Sequence, residues 1–148
     1  MEAHEGAGAE FTTGRTVVVS LEQGSDLLDE IGRLAAAHAL AFCRLSAIGS
    51  LAGARMTYYD QEAKEDLEIL FDEPMMLVVL AGTALVTDGE VETHAHLVLA
   101  NEHGVAYGGD ISSGCTVFSC ELLMQELVGP SVSRRVDERT GLARLTIG

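Results

Sequence analysis

His94 and His96 stand two residues apart in the run THAHLVLA. Side chains alternate along a β-strand, so this spacing sets both imidazoles on one face. A pair of nitrogen donors on a rigid strand is half of a transition-metal site. Asp110 follows in AYGGD with a hard carboxylate, and the preceding Gly108 and Gly109 let a backbone come close to a bound group. Three protein ligands with one open position is the arrangement of a catalytic zinc. His94, His96 and Asp110 are therefore the candidate ligands for zinc or another divalent metal, with Gly108 and Gly109 as ligand-approach positions. Glu121 lies in the apolar run VFSCELLM, where a carboxylate either faces solvent or is paired. It could hold a histidine, orient Arg44, or serve as a general base. His38 reads as a helix-end residue and His103 as a turn residue.

These groups need a scaffold. Residues 15–21 (RTVVVSL) are β-branched and predict a first strand. Ser25 or Asp26 can cap a helix carried by Leu27, Leu28, Ile31, Leu34 and Ala35 at helical spacing. Residues 41–50 predict a second strand, on which Arg44 shares a face with Phe42, Ser46 and Ile48. Residues 54–60 predict a third strand, 61–65 a polar loop, and 67–71 a short strand. The run MMLVVLAGTALV after Pro74 predicts a central strand buried on both faces, with Gly82 marking a bulge or a close backbone approach. Asp88-Gly89 is a strong hairpin signal and pairs this strand with the histidine strand. A turn at 102–104 leads into a strand interrupted at Gly108-Gly109, and residues 115–127 form a long strand. Gly129-Pro130 ends the compact part, and Arg139-Thr140-Gly141 reads as a turn before a short final strand.

One early helix followed by strands and short turns predicts an α+β fold (two-layer α/β), a mainly antiparallel sheet with one principal helix. The expected organisation is a flexible tail over 1–14, a domain over 15–128, and a C-terminal extension over 129–148 packing on the domain or on a neighbouring subunit. One helix cannot cover a sheet so rich in apolar residues on both faces, which predicts a homo-oligomer.

The chain carries 9 basic and 23 acidic residues, a net charge of −14, and its only lysine is Lys64. Nucleic-acid affinity rests on clustered Lys and Arg, so a polyanion is an unfavourable partner, and so is an anionic membrane. The local exception, Arg134, Arg135, Arg139 and Arg144, is expected to pair with Asp137, Glu138 and nearby acids. Cys43, Cys115 and Cys120 lie in apolar runs without a Cys-x-x-Cys spacing, as expected of free thiols in a reducing cytoplasm. The N-terminus lacks the pattern of a secretory leader, and no apolar run is long enough for a membrane span.

Gly89, His94, His96 and Glu102 imitate the order of a cupin motif, but the spacings are off by about a residue and Glu102 falls at a turn. A closer resemblance is carried by RLSAIGSLAGARMTYYD, PMMLVVLAG, and THAHLVLANEHGVAYGGD followed by TVFSCELLM. In these segments, over about residues 15–127, the chain resembles the plant and prokaryote conserved (PPC) domain. The resemblance implies a homotrimer. In plants it implies a domain coupled to an AT-hook in nuclear regulators, where it serves trimerisation and partner binding. Stand-alone prokaryotic members are often labelled DNA-binding, and several look like metal-binding proteins through His-x-His and the histidine of a Gly-Gly-His. Here Asp110 stands where that histidine is common, Met75-Met76 stand where many relatives have Phe-Glu, and no Arg-Gly-Arg-Pro hook is present.

The expected function is a trimeric protein of binding or regulatory type with a divalent-metal or small-ligand site, partnered by itself and by a small ligand or protein. The alternatives are a metal-dependent hydrolase or lyase with Glu121 as base, a DNA-binding regulator, which the net charge disfavours, and a purely structural trimer.

Overall fold

The computed structural model describes Gly6 and residues 8–148. Its elements run β1 (Thr12–Leu21), α1 (Leu27–Ala37), β2 (Phe42–Asp60), β3 (Glu65–Phe71), β4 (Met75–Thr87), β5 (Glu90–Ala100), β6 (Ala106–Ile111), β7 (Thr116–Val128), β8 (Val132–Val136) and β9 (Ala143–Ile147). This is the α+β arrangement expected: a single helix and an antiparallel sheet in the order β1-β7-β2-β4-β5-β6, with β3 on β2 and a separate β8–β9 hairpin. The chain is already in β1 at Thr12, so the expected tail over 1–14 is shortened; residues 1–5 and 7 lie outside the described residues.

Helix α1 begins at Asp26, whose carboxylate accepts from the Asp29 amide at 3.0 Å and satisfies one orphan N–H of the first turn. The other carboxylate oxygen accepts from the Gly114 amide at 2.7 Å and ties the helix start to the loop before β7. Leu27, Ile31, Leu34 and Ala35 form its buried stripe and pack on one face of the sheet. Leu45, Leu80, Leu97, Leu122 and Met124 answer from the strands.

Three local expectations change. The two strands foreseen at 41–50 and 54–60 are one, β2, because irregularities in its pairing at 47–49 and 50–53 bend the strand without ending it. Its first half pairs with β7 and β4, and its second half with β3 and, at Met56 and Thr57, with β6. Strand β6 likewise runs through Gly108 and Gly109 without interruption. Strand β4 is buried on both faces only at its end, where Leu85 is covered; before it Leu77, Leu80 and Ala84 are covered on one face, while Met76, Val78 and Val79 are exposed. The exposed apolar stretch at 76–79 belongs to a surface that alternation alone could not distinguish from a core.

Gly82 does mark a close approach. A Cβ there would overlap the His94 carbonyl oxygen and the Ala95 backbone, so only glycine lets β4 and β5 pair at this point. Asp88 (φ 52°) and Gly89 (φ 80°) are both left-handed, as a two-residue hairpin turn requires.

Candidate metal centre

Register places the candidate ligands. Across the sheet, Val18 pairs with Leu123, Leu123 with Ser46, Ser46 with Ala81, Ala81 with His96, and His96 with Asp110. Residues directly opposite one another on antiparallel strands point to the same side. This row therefore faces away from α1. The next row, Gln125, Arg44, Thr83 and His94, runs beside it on the same face.

His94, His96 and Asp110 converge at the β5–β6 end of these rows. Each offers a donor atom, and the three atoms lie within 4.8 Å of one another. His96 Nε2 is 2.8 Å from Asp110 Oδ1, and the two imidazole centroids are 5.4 Å apart at 84°. The His96 and Asp110 side chains are 69% and 33% exposed, so the cluster is open to solvent and a metal would keep an accessible coordination position. Loss of solvent around the ring, then the positive charge of Arg134, then His96, hold the His94 pKa below its ordinary value, with Asp110 opposing. A neutral imidazole is the form that ligates metal. Two imidazoles and one carboxylate, donor atoms already grouped, suit zinc or a similar divalent ion.

Of the glycine pair, Gly109 has a packing role beside the cluster, while a Cβ on Gly108 would meet only ordinary contacts. A Cβ on Gly109 would sit 3.0 Å from the Met56 Cβ and from the Thr57 carbonyl oxygen. Glycine thus lets β6 lie against β2 and brings Asp110 level with both Thr57 and His96. Glu121 is not part of the cluster. It is exposed on β7, paired with Ser20 and Ile48, and β2 and β4 separate it from β5. Three strand spacings amount to about 14 Å, beyond the reach of a base in the same subunit. The same placement keeps it one row from that of His96 and two rows from that of Arg44 and His94.

Two groups beside His94 were not legible as site residues. Thr83 is its direct partner on β4, and Arg134 of β8 donates from Nη2 to Thr83 Oγ1 at 3.0 Å. Arg139 and Arg144 pair with Asp137 as expected, but Arg134 departs from that pattern and reaches the sheet. The hairpin turn is held nearby: Tyr59 donates its hydroxyl to the Thr140 carbonyl, and Lys64 Nζ donates to Glu138 O at 3.4 Å. The C-terminal extension therefore packs on its own domain, across the face that carries the cluster.

The fold and site define a small α+β subunit with a surface histidine–carboxylate cluster. The family profile of the Plants and Prokaryotes Conserved (PCC) domain matches residues 8–128, and the chain belongs to that family. Among solved structures it is similar to a metal-containing protein from Archaeoglobus fulgidus, at 33% identity and TM-score 0.84, covering 91% of this chain and 95% of that one. A plant- and prokaryote-conserved protein from Pyrococcus horikoshii gives 29% and 0.84, covering 93% and 96%. A Bacteroides thetaiotaomicron protein, provisionally described as DNA-binding, shares the fold at 15% identity and TM-score 0.81, covering 91% and 96%. Among curated proteins, the chain is 32% identical over 135 residues to the bifunctional protein GlmU of Synechococcus sp. (strain JA-3-3Ab), covering 90% of this chain and 20% of that protein. The chain thus spans about a fifth of the length of that relative.

Proposed function

We propose that this PCC-domain protein binds a divalent metal, zinc or a close analogue, through His94, His96 and Asp110, and acts by binding or regulation as a homotrimer. The observation that carries the reading is the grouping of three donor atoms within 4.8 Å on paired strands, before any ion is considered. The 33%-identical relative from Archaeoglobus fulgidus is itself a metal-containing protein, which supports it. Elemental analysis of untagged protein, with and without added zinc, tests it. About one equivalent per chain is expected, abolished by His94→Ala with His96→Ala. Neither bound metal nor uptake on addition would sink the reading.

The trimer rests on the uncovered sheet face. Val18, Ile48, Val79 and Leu123 are 67%, 50%, 40% and 42% exposed on the side away from α1. A contiguous apolar face of this kind is what a subunit interface covers.

A metal-dependent hydrolase or lyase is the second reading, favoured by the open face of the cluster. It requires a base other than the same subunit's Glu121. DNA binding has less support, because the chain carries −14 and its basic residues are few. Among the described residues no helix is long and apolar enough to cross a membrane. Free, buried cysteines fit a cytoplasmic setting.

A further inference from the structure

Two arginines flank one threonine beside the cluster, Arg134 by a hydrogen bond and Arg44 by register. Arg44 on β2, Thr83 on β4 and His94 on β5 are consecutive register partners, so their side chains leave one face in a line about 5 Å apart. Arg134 comes down on the same threonine from the hairpin. Its other bond is a long one, 3.5 Å, to the Ala143 carbonyl, and its buried Nε has no hydrogen-bond partner.

Neither guanidinium meets a carboxylate among the described residues, whose ion pairs lie elsewhere. That is unusual where acids outnumber bases 23 to 9. Glu92, two residues along β5 from His94, pairs in register with Leu85, one row further out, and meets neither guanidinium in an ion pair among the described residues. Two like charges in neighbouring positions on one face repel, and a buried N–H without an acceptor is costly. A small anion between them relieves both. Guanidinium is also the side chain whose fork matches a carboxylate or phosphate.

We infer that Arg134 and Arg44, arranged about Thr83, form the anion-recognising half of this site, which takes a small oxyanion, a carboxylate or a phosphate, beside the His94–His96–Asp110 cluster. The ligand class follows from the donors: two guanidiniums and a hydroxyl on one side, and a divalent cation with an open position on the other. A polyanion is not the occupant, since the surrounding chain repels it. The metal half rests on the function proposed above; the arginine half does not.

The test is calorimetry at low salt, titrating inorganic phosphate and, separately, acetate into metal-free protein and into cobalt-loaded protein freed of excess metal. Binding is expected in both forms and tighter in the loaded one, and comparison of the two titrants tells which oxyanion is preferred. Arg134→Gln should weaken binding at least tenfold in both forms, and Arg134→Lys should recover part of it. Arg135→Gln, on the neighbouring position of the same strand, should leave binding within about twofold. Equal affinity in Arg134→Gln and the parent overturns the inference. So does an equal loss in Arg135→Gln, which would mean diffuse attraction to the hairpin. If no cobalt is retained, the metal reading alone fails, and the metal-free titration still decides the role of Arg134. A limited-proteolysis comparison of the hairpin guards against a loss caused by its detachment: if Arg134→Lys leaves the hairpin protected as in the parent yet recovers no binding over Arg134→Gln, the charge is not what the anion meets.

Discussion

His96 Nε2 and Asp110 Oδ1 lie 2.8 Å apart across the β5–β6 pair, because the two residues are direct register partners. The carboxylate is therefore fixed at the histidine pair by the backbone ladder, not by a loop. A ligand held that way costs little ordering entropy when an ion arrives.

Asp110→Ala should weaken zinc binding by about 100-fold or more, since even groups that only support a ligand are worth 10–100-fold. Asp110→His should bind zinc at least as well as the parent, because imidazole is a favourable zinc donor. Competition against a fluorescent zinc chelator measures both. Unchanged affinity in Asp110→Ala would remove the carboxylate from the ligand set.

Gly82→Ala should be destabilising by about 1–3 kcal/mol, since the new methyl must displace the His94–Ala95 backbone. Urea unfolding reports the loss. The same variant should lower metal affinity, because the displaced backbone is that of a candidate ligand.

Asp26→Ala should cost about 1–2 kcal/mol, the worth of a helix N-cap together with the bridge to the Gly114 amide. The far-ultraviolet spectrum should keep its strand signature while the thermal midpoint falls. A midpoint unchanged within error would contradict the capping role.

Burial pushes the Cys43 thiol up to about 11. In the unfolded chain a thiol ionises near its ordinary value of about 8.5. Between those values the unfolded state loses a proton that the folded state keeps, so raising the pH through this window favours unfolding. The parent should therefore lose more stability than Cys43→Ala between about pH 8.5 and 11. Chemical denaturation at a series of pH values measures the difference, and parallel slopes would refute it. At neutral pH, the free and buried Cys43, Cys115 and Cys120 should label with iodoacetamide only after denaturation.

Leu123→Glu sets a charge in the middle of the open sheet face, in the same row as Val18 and His96. It should convert an oligomer to monomers without unfolding the subunit, since Leu123 touches solvent in the single chain. Sedimentation velocity reads the change directly. An unaltered mass would place the interface elsewhere.

Much of this was written locally. The helix from Leu27, the Asp88-Gly89 hairpin and the closeness of backbones at Gly82 each follow from a few adjacent residues and their conformational limits. The two-residue spacing of His94 and His96 put them on one face whatever the partner strand. The continuity of β2 and β6 was not legible, because glycines that punctuate an isolated strand are accommodated once neighbours supply ladder bonds on both sides.

The sequence by itself determined the donor types, the alternation that aligns the histidines, and a strongly negative net charge. Only the tertiary structure decided which distant groups join them. Register across β5–β6 brought in Asp110, and three intervening strand spacings left Glu121 out. A hairpin 51 residues away along the chain delivered Arg134 to Thr83. Periodicity carries the face a side chain takes, but pairing partners are set by long-range packing, which no local pattern encodes.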